Sequence, residues 1–233
     1  MPASTRIRRK VANFSLKACG LRKLRNGRLQ RFLRTVFDEI DLQHLRDANP
    51  CPSFRDRAEM YRYVQNTYLD REAVDYLEFG VFKGESIREW LTLNKHKASR
   101  FFGFDSFDGL PESWRAGQGK GHFDVGGSVP HIDDPRARFI KGWFQDTVPP
   151  FARDFTPKNR LVLHADADLY ASTMLPLVYF SPFMSKGTLL IFDEFYDRDH
   201  EFKAVMDWQR IFKKSFCIVA EMGNYARICA ELI

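Results

Sequence analysis

Acidic side chains follow two short apolar segments of this chain, at the point where each segment ends. The segments are residues 161–163 and 189–192; Asp166 and Asp168 follow the first, and Asp193 and Glu194 the second. Both are typical of buried strands, and the carboxyl ends of neighbouring parallel strands form the crevice in which ligands bind. Carboxylate oxygens are the ligands that Mg²⁺ requires. The four acids together predict a metal site; the alternative is helix caps and solvated turn residues.

A glycine turn and a later acid predict a nucleoside site. Residues 78–86 have the pattern of a strand, a turn at Gly80 and a helix start. Glycine lets backbone approach a ligand closely, and a helix N-terminus favours a carboxylate. The G-x-G-x-x-G spacing and the P-loop lysine are both missing. Asp105 ends the next strand, where an acid can accept both hydroxyls of a ribose. S-adenosylmethionine, with an adenosine, a carboxylate and no phosphate, fits this pattern; a tight turn without a ligand is the alternative.

Alternating strands and helices must position these residues. Strands are predicted at residues 75–81, 100–104, 138–140, 161–166, 189–193, 216–221 and 225–231, and helices at about 54–68, 86–94, 172–184 and 200–213. This order predicts an α/β fold with a doubly wound, mostly parallel, seven-stranded sheet of Rossmann-like type. The last two strands predict a hairpin that adds an antiparallel strand at the edge. The glycine-rich residues 115–130 predict a flexible loop that orders over a ligand.

The basic charge of the chain belongs to its first residues. Residues 1–40 hold 11 Lys and Arg against two acids, and the rest holds 25 against 28. Residues 1–53 are predicted to be a basic helical extension and residues 54–233 the catalytic domain. Within the extension, residues 29–40 place apolar side chains at helical spacing beside Arg28, Arg31 and Arg34. This helix is predicted to pack on the main domain or on a dimer partner; binding to phosphate groups or a membrane surface is the alternative.

Composition limits the class of protein. With 44% hydrophobic and 15% aromatic residues, the chain is predicted to form a packed globule. Its four cysteines show no C-x-x-C spacing, which predicts reduced thiols and a cytoplasmic protein. No apolar run reaches the length of a transmembrane segment. We also expect a homodimer or a higher homo-oligomer.

Five ordered segments resemble the motifs of the macrocin O-methyltransferase (TylF-type) family, over roughly residues 54–231. The segments are Leu77-Glu78-Phe79-Gly80-Val81, residues 103–112 (GFDSFDGLPE), Lys141-Gly142-Trp143-Phe144, Asp166-Ala167-Asp168-Leu169-Tyr170 and Phe192-Asp193-Glu194. The resemblance implies a class I methyltransferase fold, an S-adenosylmethionine cofactor and a Mg²⁺ ion. It also implies methylation of a hydroxyl, often on a sugar of a natural product, so the expected partner is a small-molecule acceptor that contains a sugar.

The same resemblance implies roles for individual residues. It places Glu78, Phe79, Gly80, Val81 and Ser86 in the cofactor motif at the methionine end, Asp105 and Ser106 at the ribose, Gly142, Trp143 and Phe144 near the adenine, and Asp166 beside the cofactor. It makes Asp166, Asp193 and Glu194 the metal ligands and Asp168 the catalytic base. The family often has Asp where this chain has Glu194. The basic extension is not part of the family motifs.

Two other classes of protein remain open from the residues alone. A metal-dependent glycosyltransferase also uses Asp-x-Asp to hold a nucleotide-sugar, although here this motif follows a glycine turn and a ribose-type acid. A nucleic-acid- or membrane-binding protein would work through the basic extension, but it would leave the acid cluster unexplained. Nucleic acid is therefore not an expected partner.

Overall fold

The computed structural model describes residues 44–48 and 50–233. The chain divides into two units, one ending at Ala48 and the other spanning Asn49–Ile233. In the first unit, residues 44–48 are helical. The helix predicted at residues 29–40 lies outside the described residues. No helix in the described part of the chain has the length and apolar character needed to span a membrane.

The second unit contains one mixed sheet. Its strands are β1 Ser53–Phe54, β2 Val74–Phe79, β3 Arg100–Asp105, β4 Ala137–Lys141, β5 Arg160–Ala165, β6 Leu189–Phe192, β7 Phe216–Met222 and β8 Arg227–Leu232. Their order across the sheet is β1-β7-β8-β6-β5-β2-β3-β4. The seven predicted strands are all present, and the two-residue β1 pairs in parallel with β7 as an eighth. Strand pairing thus begins one residue before the predicted domain boundary at residue 54.

Helices connect the parallel strands. They are α1 Arg57–Val64, extended by a π-helical turn Gln65–Leu69, α2 Glu85–Leu93, α3 Phe144–Asp154, α4 Tyr170–Phe180, followed by a 3₁₀ turn Ser181–Phe183, and α5 Glu201–Phe212. Asp56 caps α1 by accepting a hydrogen bond from the N–H of Glu59. Helix α3 was not predicted from the sequence, because it contains Pro149 and Pro150, and prolines disfavour a helix interior.

The closing hairpin differs in one respect from the prediction. Strands β7 and β8 are antiparallel neighbours at one end of the sheet, as expected. However, the antiparallel strand is β8, which lies between β7 and β6 and pairs with both. It is therefore an interior strand, and the parallel β7 and β1 lie outside it. This insertion brings the start of β8 next to the end of β6.

The register of the central strands aligns their carboxyl ends. Phe79 of β2 pairs with Phe104 of β3 and with Ala165 of β5, and Ala165 pairs with Phe192 of β6. The chain runs from β2 outwards to β4 and then returns to β5 on the other side of β2, so β2 and β5 flank a topological switch point. The residues that follow these strand ends therefore meet at one edge.

The glycine-rich loop makes several hydrogen bonds between its own backbone groups, and its ordering over a ligand stays a prediction. The Leu110 N–H donates a hydrogen bond to the His122 carbonyl over 2.8 Å, and the Gly121 N–H donates one to the Leu110 carbonyl over 2.9 Å. The Gly127 N–H donates to the Phe107 carbonyl over 2.9 Å. These bonds fold the loop onto itself beside the edge where the strands end.

Candidate active site

A cavity of about 320 Å³ lies at the switch point. Ten of the predicted site residues line it: Gly80, Asp105, Ser106, Gly142, Trp143, Phe144, Asp166, Asp168, Asp193 and Glu194. Four do not line it: Glu78, Phe79, Val81 and Ser86 are all buried behind its wall. The structure thus brings both acid pairs and the ribose-type acid into one cavity, whereas most of the glycine motif is buried and does not line it.

Gly80 is required by the close approach of two turns. Its φ is +91°, and a Cβ at this position would lie 1.7 Å from the backbone carbonyl oxygen of Asp166. Only glycine fits here. The glycine makes room for the turn that carries Asp166. Gly80 also lines the cavity, and the approach of a ligand to its backbone stays a prediction.

Asp105 fixes the shape of the glycine turn. Its Oδ2 accepts hydrogen bonds from the backbone N–H groups of Val81 and Phe82, each over 2.7 Å, and its Oδ1 accepts one from the N–H of Phe107. A carboxylate offers about four lone-pair sites, so the three bonds leave capacity for a further donor. Asp105 can therefore hold the turn and still accept a hydroxyl from the cavity.

Glu78 belongs to a buried polar network. Its Oε1 accepts from the Ser86 hydroxyl over 2.7 Å, and its Oε2 accepts from the Tyr76 hydroxyl over 2.5 Å. The Tyr76 oxygen lies 2.7 Å from His164 Nδ1. All four side chains are buried. The network joins β2, β5 and the start of α2, which are the elements that carry the glycine turn and the first acid pair.

His164 is a buried imidazolium between two carboxylates. Its Nε2 lies 3.1 Å from Asp193 Oδ1, and its Nδ1 lies 3.5 Å from Glu78 Oε2. Burial alone would lower the pKa of His164, but the hydrogen bonds and charges of Asp193 and Glu78 outweigh it and raise the pKa to about 9. The ring is therefore protonated at neutral pH. Its hydrogen bond with Asp193 orients that carboxylate.

Asp193 is held from a second side by Arg227. The Arg227 Nε donates to Asp193 Oδ1 over 2.5 Å, and its Nη2 donates to Oδ2. Burial would raise the pKa of Asp193, yet the bonds and positive charges of His164 and Arg227 hold it well below its usual range. Sequence reasoning missed Arg227, because its contact depends on β8 lying next to β6. The pairing of Phe192 with Ile228 is the feature that brings it there.

Glu194 and Glu201 form a second, poorly satisfied pair of acids. Glu201 Oε1 accepts from the backbone N–H of Glu194 over 2.9 Å. The Oε2 atoms of Glu194 and Glu201 are buried and have no hydrogen-bond partner among the residues that the structure describes. Burial, then the charges of Asp193 and Asp168, raise the pKa of Glu194 to about 8. A buried carboxylate oxygen without a partner is costly, which points to a cation or donor that completes it.

Asp168 has the properties of a base held in place. Its side chain is buried, and its backbone has a φ of +59°, in the left-handed region that Asp tolerates better than most residues. Burial raises its pKa to about 7, against the opposing charge of Arg115, while Asp193 and Asp197 contribute in the same direction as burial. A carboxylate with such a pKa can accept a proton at neutral pH and release it again.

The donor set at this edge fits a hard divalent cation. Ligand atoms of His164, Asp166 and Asp193 lie within 4.8 Å of one another. Both ring nitrogens of His164 already have hydrogen-bond partners, Tyr76 and Asp193, whereas Asp166, Asp193 and Glu194 offer carboxylate oxygens. Burial and then the charges of Asp193 and Glu194 raise the pKa of Asp166 well above its usual value. A cation that neutralises these acids would relieve that repulsion.

Aromatic residues line the remaining wall. Trp143 precedes α3, and Phe144 begins it and contacts Phe79 edge-to-face at 5.7 Å. On the opposite loop, the Trp114 Nε1 donates to Asp197 Oδ2 over 2.6 Å, and Arg115 lies 3.7 Å over the Trp114 ring. Trp143 and Phe144 both line the cavity, and their contact with an adenine stays a prediction.

Solved structures share this architecture. The O-methyltransferase NovP has a TM-score of 0.58, with 22% identity over 75% of this chain and 78% of that chain. The calicheamicin methyltransferase CalS11 has a TM-score of 0.57, with 23% identity over 83% and 79%. Together with the sheet order, these similarities show the class I methyltransferase fold, as predicted.

Sequence comparison identifies the family. The family model described as Macrocin-O-methyltransferase (TylF) matches residues 58–227, so this chain belongs to that family. A relative from Streptomyces olivaceus is 30% identical over 165 residues; it is 8-demethyl-8-(2,3-dimethoxy-alpha-L-rhamnosyl)-tetracenomycin-C 4'-O-methyltransferase. That match spans 60% of this chain and 60% of the relative's length.

Proposed function

We propose that this protein is an S-adenosylmethionine- and Mg²⁺-dependent O-methyltransferase that methylates a hydroxyl of a sugar-containing small molecule. The observation that carries the proposal is the placement of Asp105, Asp168 and the partly unsatisfied Glu194 in one cavity. A nucleoside-type site, a carboxylate with its pKa near neutrality and a set of metal-binding acids are what this reaction needs. Family membership favours the methyltransferase over a glycosyltransferase.

The cofactor and the metal supply separate parts of the chemistry. When bound, S-adenosylmethionine supplies a methyl group that is already activated by its sulfonium. When bound, Mg²⁺ supplies a positive charge that stabilises the developing negative charge of a hydroxyl oxygen. Asp166, Asp193 and Glu194 would hold the metal. Asp105 and Ser106 would bind the ribose, and Trp143 and Phe144 would pack against the adenine.

The remaining task of the chain is to align the hydroxyl and take its proton. We assign the proton of the acceptor hydroxyl to an Asp168 carboxylate oxygen. The acceptor oxygen would bond to the methyl carbon as the methyl–sulfur bond of the bound cofactor breaks, so that S-adenosylhomocysteine would be the leaving group. Such general-base catalysis contributes about 10²–10⁴-fold to a rate, and alignment can contribute roughly 7–11 kcal/mol in the best cases. Glu78 and Ser86 lie behind the wall, so we give them a positioning role for the turn that carries Gly80.

Calorimetry and a turnover assay test the proposal together. The protein should bind S-adenosylhomocysteine, and a nucleoside diphosphate should not compete with it. Labelled cofactor should then transfer its methyl group to at least one member of a panel of glycosides, and EDTA should abolish the transfer. Binding of the nucleoside diphosphate without S-adenosylhomocysteine would contradict the methyltransferase, and full activity in EDTA would contradict the metal dependence.

The cytoplasmic location and the homo-oligomer stay predictions. The boundary between a basic extension and a catalytic domain also stays a prediction, since residues 1–43 lie outside the described part of the chain. Binding of nucleic acid or membranes through that extension can be tested by its salt dependence, because release of counterions makes such binding fall steeply as salt rises.

A further inference from the structure

Arg227 contacts both oxygens of a carboxylate that is proposed to hold the metal. Its Nε donates to Asp193 Oδ1 over 2.5 Å, and its Nη2 donates to Asp193 Oδ2. His164 Nε2 lies 3.1 Å from the same Oδ1. A carboxylate has about four lone-pair sites, roughly two on each oxygen. The contacts use both sites of Oδ1 and one site of Oδ2, so Asp193 keeps a single site for a cation.

The other acids of the proposed cation site are in a different state. Glu194 Oε2 is buried and has no hydrogen-bond partner among the described residues. Asp166 is half-buried, and burial together with the charges of Asp193 and Glu194 raises its pKa. The hydrogen bonds of the Arg227 guanidinium to a carboxylate are made to Asp193. One acid of the site is therefore neutralised by the chain itself.

Arg227 and Asp193 form a buried ion pair. Their side chains are 15% and 3% exposed, and both residues line the cavity. Arg227 begins β8, and the pairing of Ile228 with Phe192 sets it beside Asp193. Removal of one partner of a buried ion pair leaves the other charge uncompensated, which is strongly destabilising. Arg227 therefore stabilises this part of the site without a metal.

The metal and the guanidinium have to share one carboxylate. A divalent cation such as Mg²⁺ binds through carboxylate oxygens, and Arg227 already contacts both oxygens of Asp193. Two positive groups at one carboxylate repel each other, and a buried setting strengthens that repulsion. When the arrangement that can bind a ligand is only a fraction of the population, the apparent affinity falls by that fraction.

We infer that Arg227 is an internal counter-ion that positions Asp193 and competes with the metal for its oxygens. The inference rests on the metal part of the proposed function. Arg227 neutralises Asp193 when no metal is bound, and it makes the metal bind more weakly than the same acids would without it. The affinity of a carboxylate site depends on the charge and the rigidity of its ligands, and Arg227 changes both.

The test measures cation affinity without cofactor or acceptor. The full chain is stripped with EDTA, returned to buffer and titrated with Mn²⁺, and the free ion is counted by electron paramagnetic resonance. Carboxylate sites accept Mn²⁺ as they accept Mg²⁺. Arg227→Gln removes both the charge and the paired contact, so the dissociation constant for Mn²⁺ should fall about ten-fold. A residue that only supports the fold would not strengthen ion binding when it is replaced.

Thermal unfolding gives a second readout that does not depend on activity. Without an added ion, Arg227→Gln should melt about 5 °C below the wild type, because Asp193 has lost its partner. A fixed concentration of Mn²⁺ should then raise the melting temperature of the variant more than that of the wild type. This follows because a ligand stabilises the native state more when its dissociation constant is lower.

Two further variants separate contact from charge. Arg227→Lys keeps the charge but gives up the paired contact, so it should strengthen Mn²⁺ binding by about three-fold, and it tests the inference even where Arg227→Gln does not fold. Arg57→Gln removes a charge that acts on Asp193 from further away, since Arg57 pairs with Glu85 and Glu89 at 3.7 and 3.4 Å. It should leave Mn²⁺ affinity within about two-fold of the wild type.

Three results would overturn the inference. They are unchanged or weaker Mn²⁺ binding by folded Arg227 variants, an equal gain of affinity in Arg57→Gln, and a loss of melting temperature that Mn²⁺ does not reduce. In each case binding of S-adenosylhomocysteine by the wild type leaves the proposed methyltransferase standing. Absence of Mn²⁺ binding in the wild type and in every variant would contradict both the inference and the metal part of the proposed function.

Discussion

Buried carboxylates at the two ends of the strands differ in their hydrogen-bond partners and in the direction of their pKa shifts. Near the start of β2, Asp75 is 0% exposed and accepts five hydrogen bonds, two from Arg100 and the others from the Lys158 and Asn159 region. Burial would raise its pKa, but these donors outweigh it and lower the pKa. At the carboxyl ends of the strands, Asp168 and Glu194 have pKa values raised to about 7 and about 8.

The difference shows what each end is built to do. Asp75 has its full set of donors within the chain, so its hydrogen bonds stabilise the folded state. They connect β2 to β3 and to the segment before β5. At the other end Asp193 has its donors in His164 and Arg227, but Glu194 and Glu201 each keep a buried oxygen without a partner among the described residues. Buried titratable groups with raised pKa values in a cleft are typical of functional sites. One end thus supplies stability, and the other keeps its binding capacity for ligands.

Replacement of Asp168 should give the largest effect on activity and almost none on stability. Asp168→Asn keeps the shape of the side chain but removes the proton acceptor, so we expect turnover to fall about 10²–10⁴-fold. Binding of S-adenosylhomocysteine should be unchanged, because Asp168 has no role in it. Turnover assays and calorimetry measure the two effects. Asp154→Asn, at an exposed position, is the control, and a near-normal rate in Asp168→Asn would refute the base assignment.

Replacement of Asp75 should show the reverse pattern. Asp75→Asn removes the charge that Arg100 and the neighbouring amides share, and we expect the free energy of unfolding to fall by about 3 kcal/mol. Turnover per folded molecule should stay the same, since Asp75 is at the opposite end of the sheet. Urea unfolding and activity corrected for folded protein measure these outcomes. A large loss of turnover with intact stability would contradict the division between the two ends.

Replacement of a predicted metal ligand should fall between these cases. Asp193→Asn removes one negative charge from the cation site, so we expect Mg²⁺ affinity to fall by at least about ten-fold. Part of the lost activity should return at excess Mg²⁺. Calorimetry with Mg²⁺ alone measures the affinity, and Asp146→Asn, on the exposed surface of α3, is the control. Unchanged Mg²⁺ affinity in Asp193→Asn would remove this residue from the proposed ligands.

The strands and the grouping of the site residues could be predicted from the sequence, because strand ends in a parallel sheet meet at one edge. That rule is sufficient to place Gly80, Asp105, Asp166 and Asp193 together. The neighbours that tune the acids could not be predicted in this way. Arg227 is 34 residues from Asp193 along the chain, and their contact depends on the insertion of β8 beside β6.

Other errors have equally specific causes. Helix α3 was missed because two consecutive prolines conceal its pattern. Glu78 is buried and accepts hydrogen bonds from Tyr76 of the same strand and from Ser86 of α2, a network that the sequence did not indicate; its role at the cofactor stays a prediction. The edge-to-face contact between Phe82 and Phe123 was not foreseen, because the positive φ values of these two residues have no signature in the local sequence. Contacts between distant segments, rather than patterns within one segment, account for these residues.

The smallest expected effect concerns pH and isolates the Asp75 end. A carboxyl group whose folded pKa is lowered stabilises the protein above its unfolded pKa of about 3.9, and this contribution is lost as pH falls through the lower folded pKa. The difference in unfolding free energy between the wild type and Asp75→Asn should therefore be greatest near neutral pH and shrink below about pH 4. Urea unfolding at a series of pH values measures it. A difference that stays constant into acid would mean that Asp75 stabilises the sheet through packing and not through its charge.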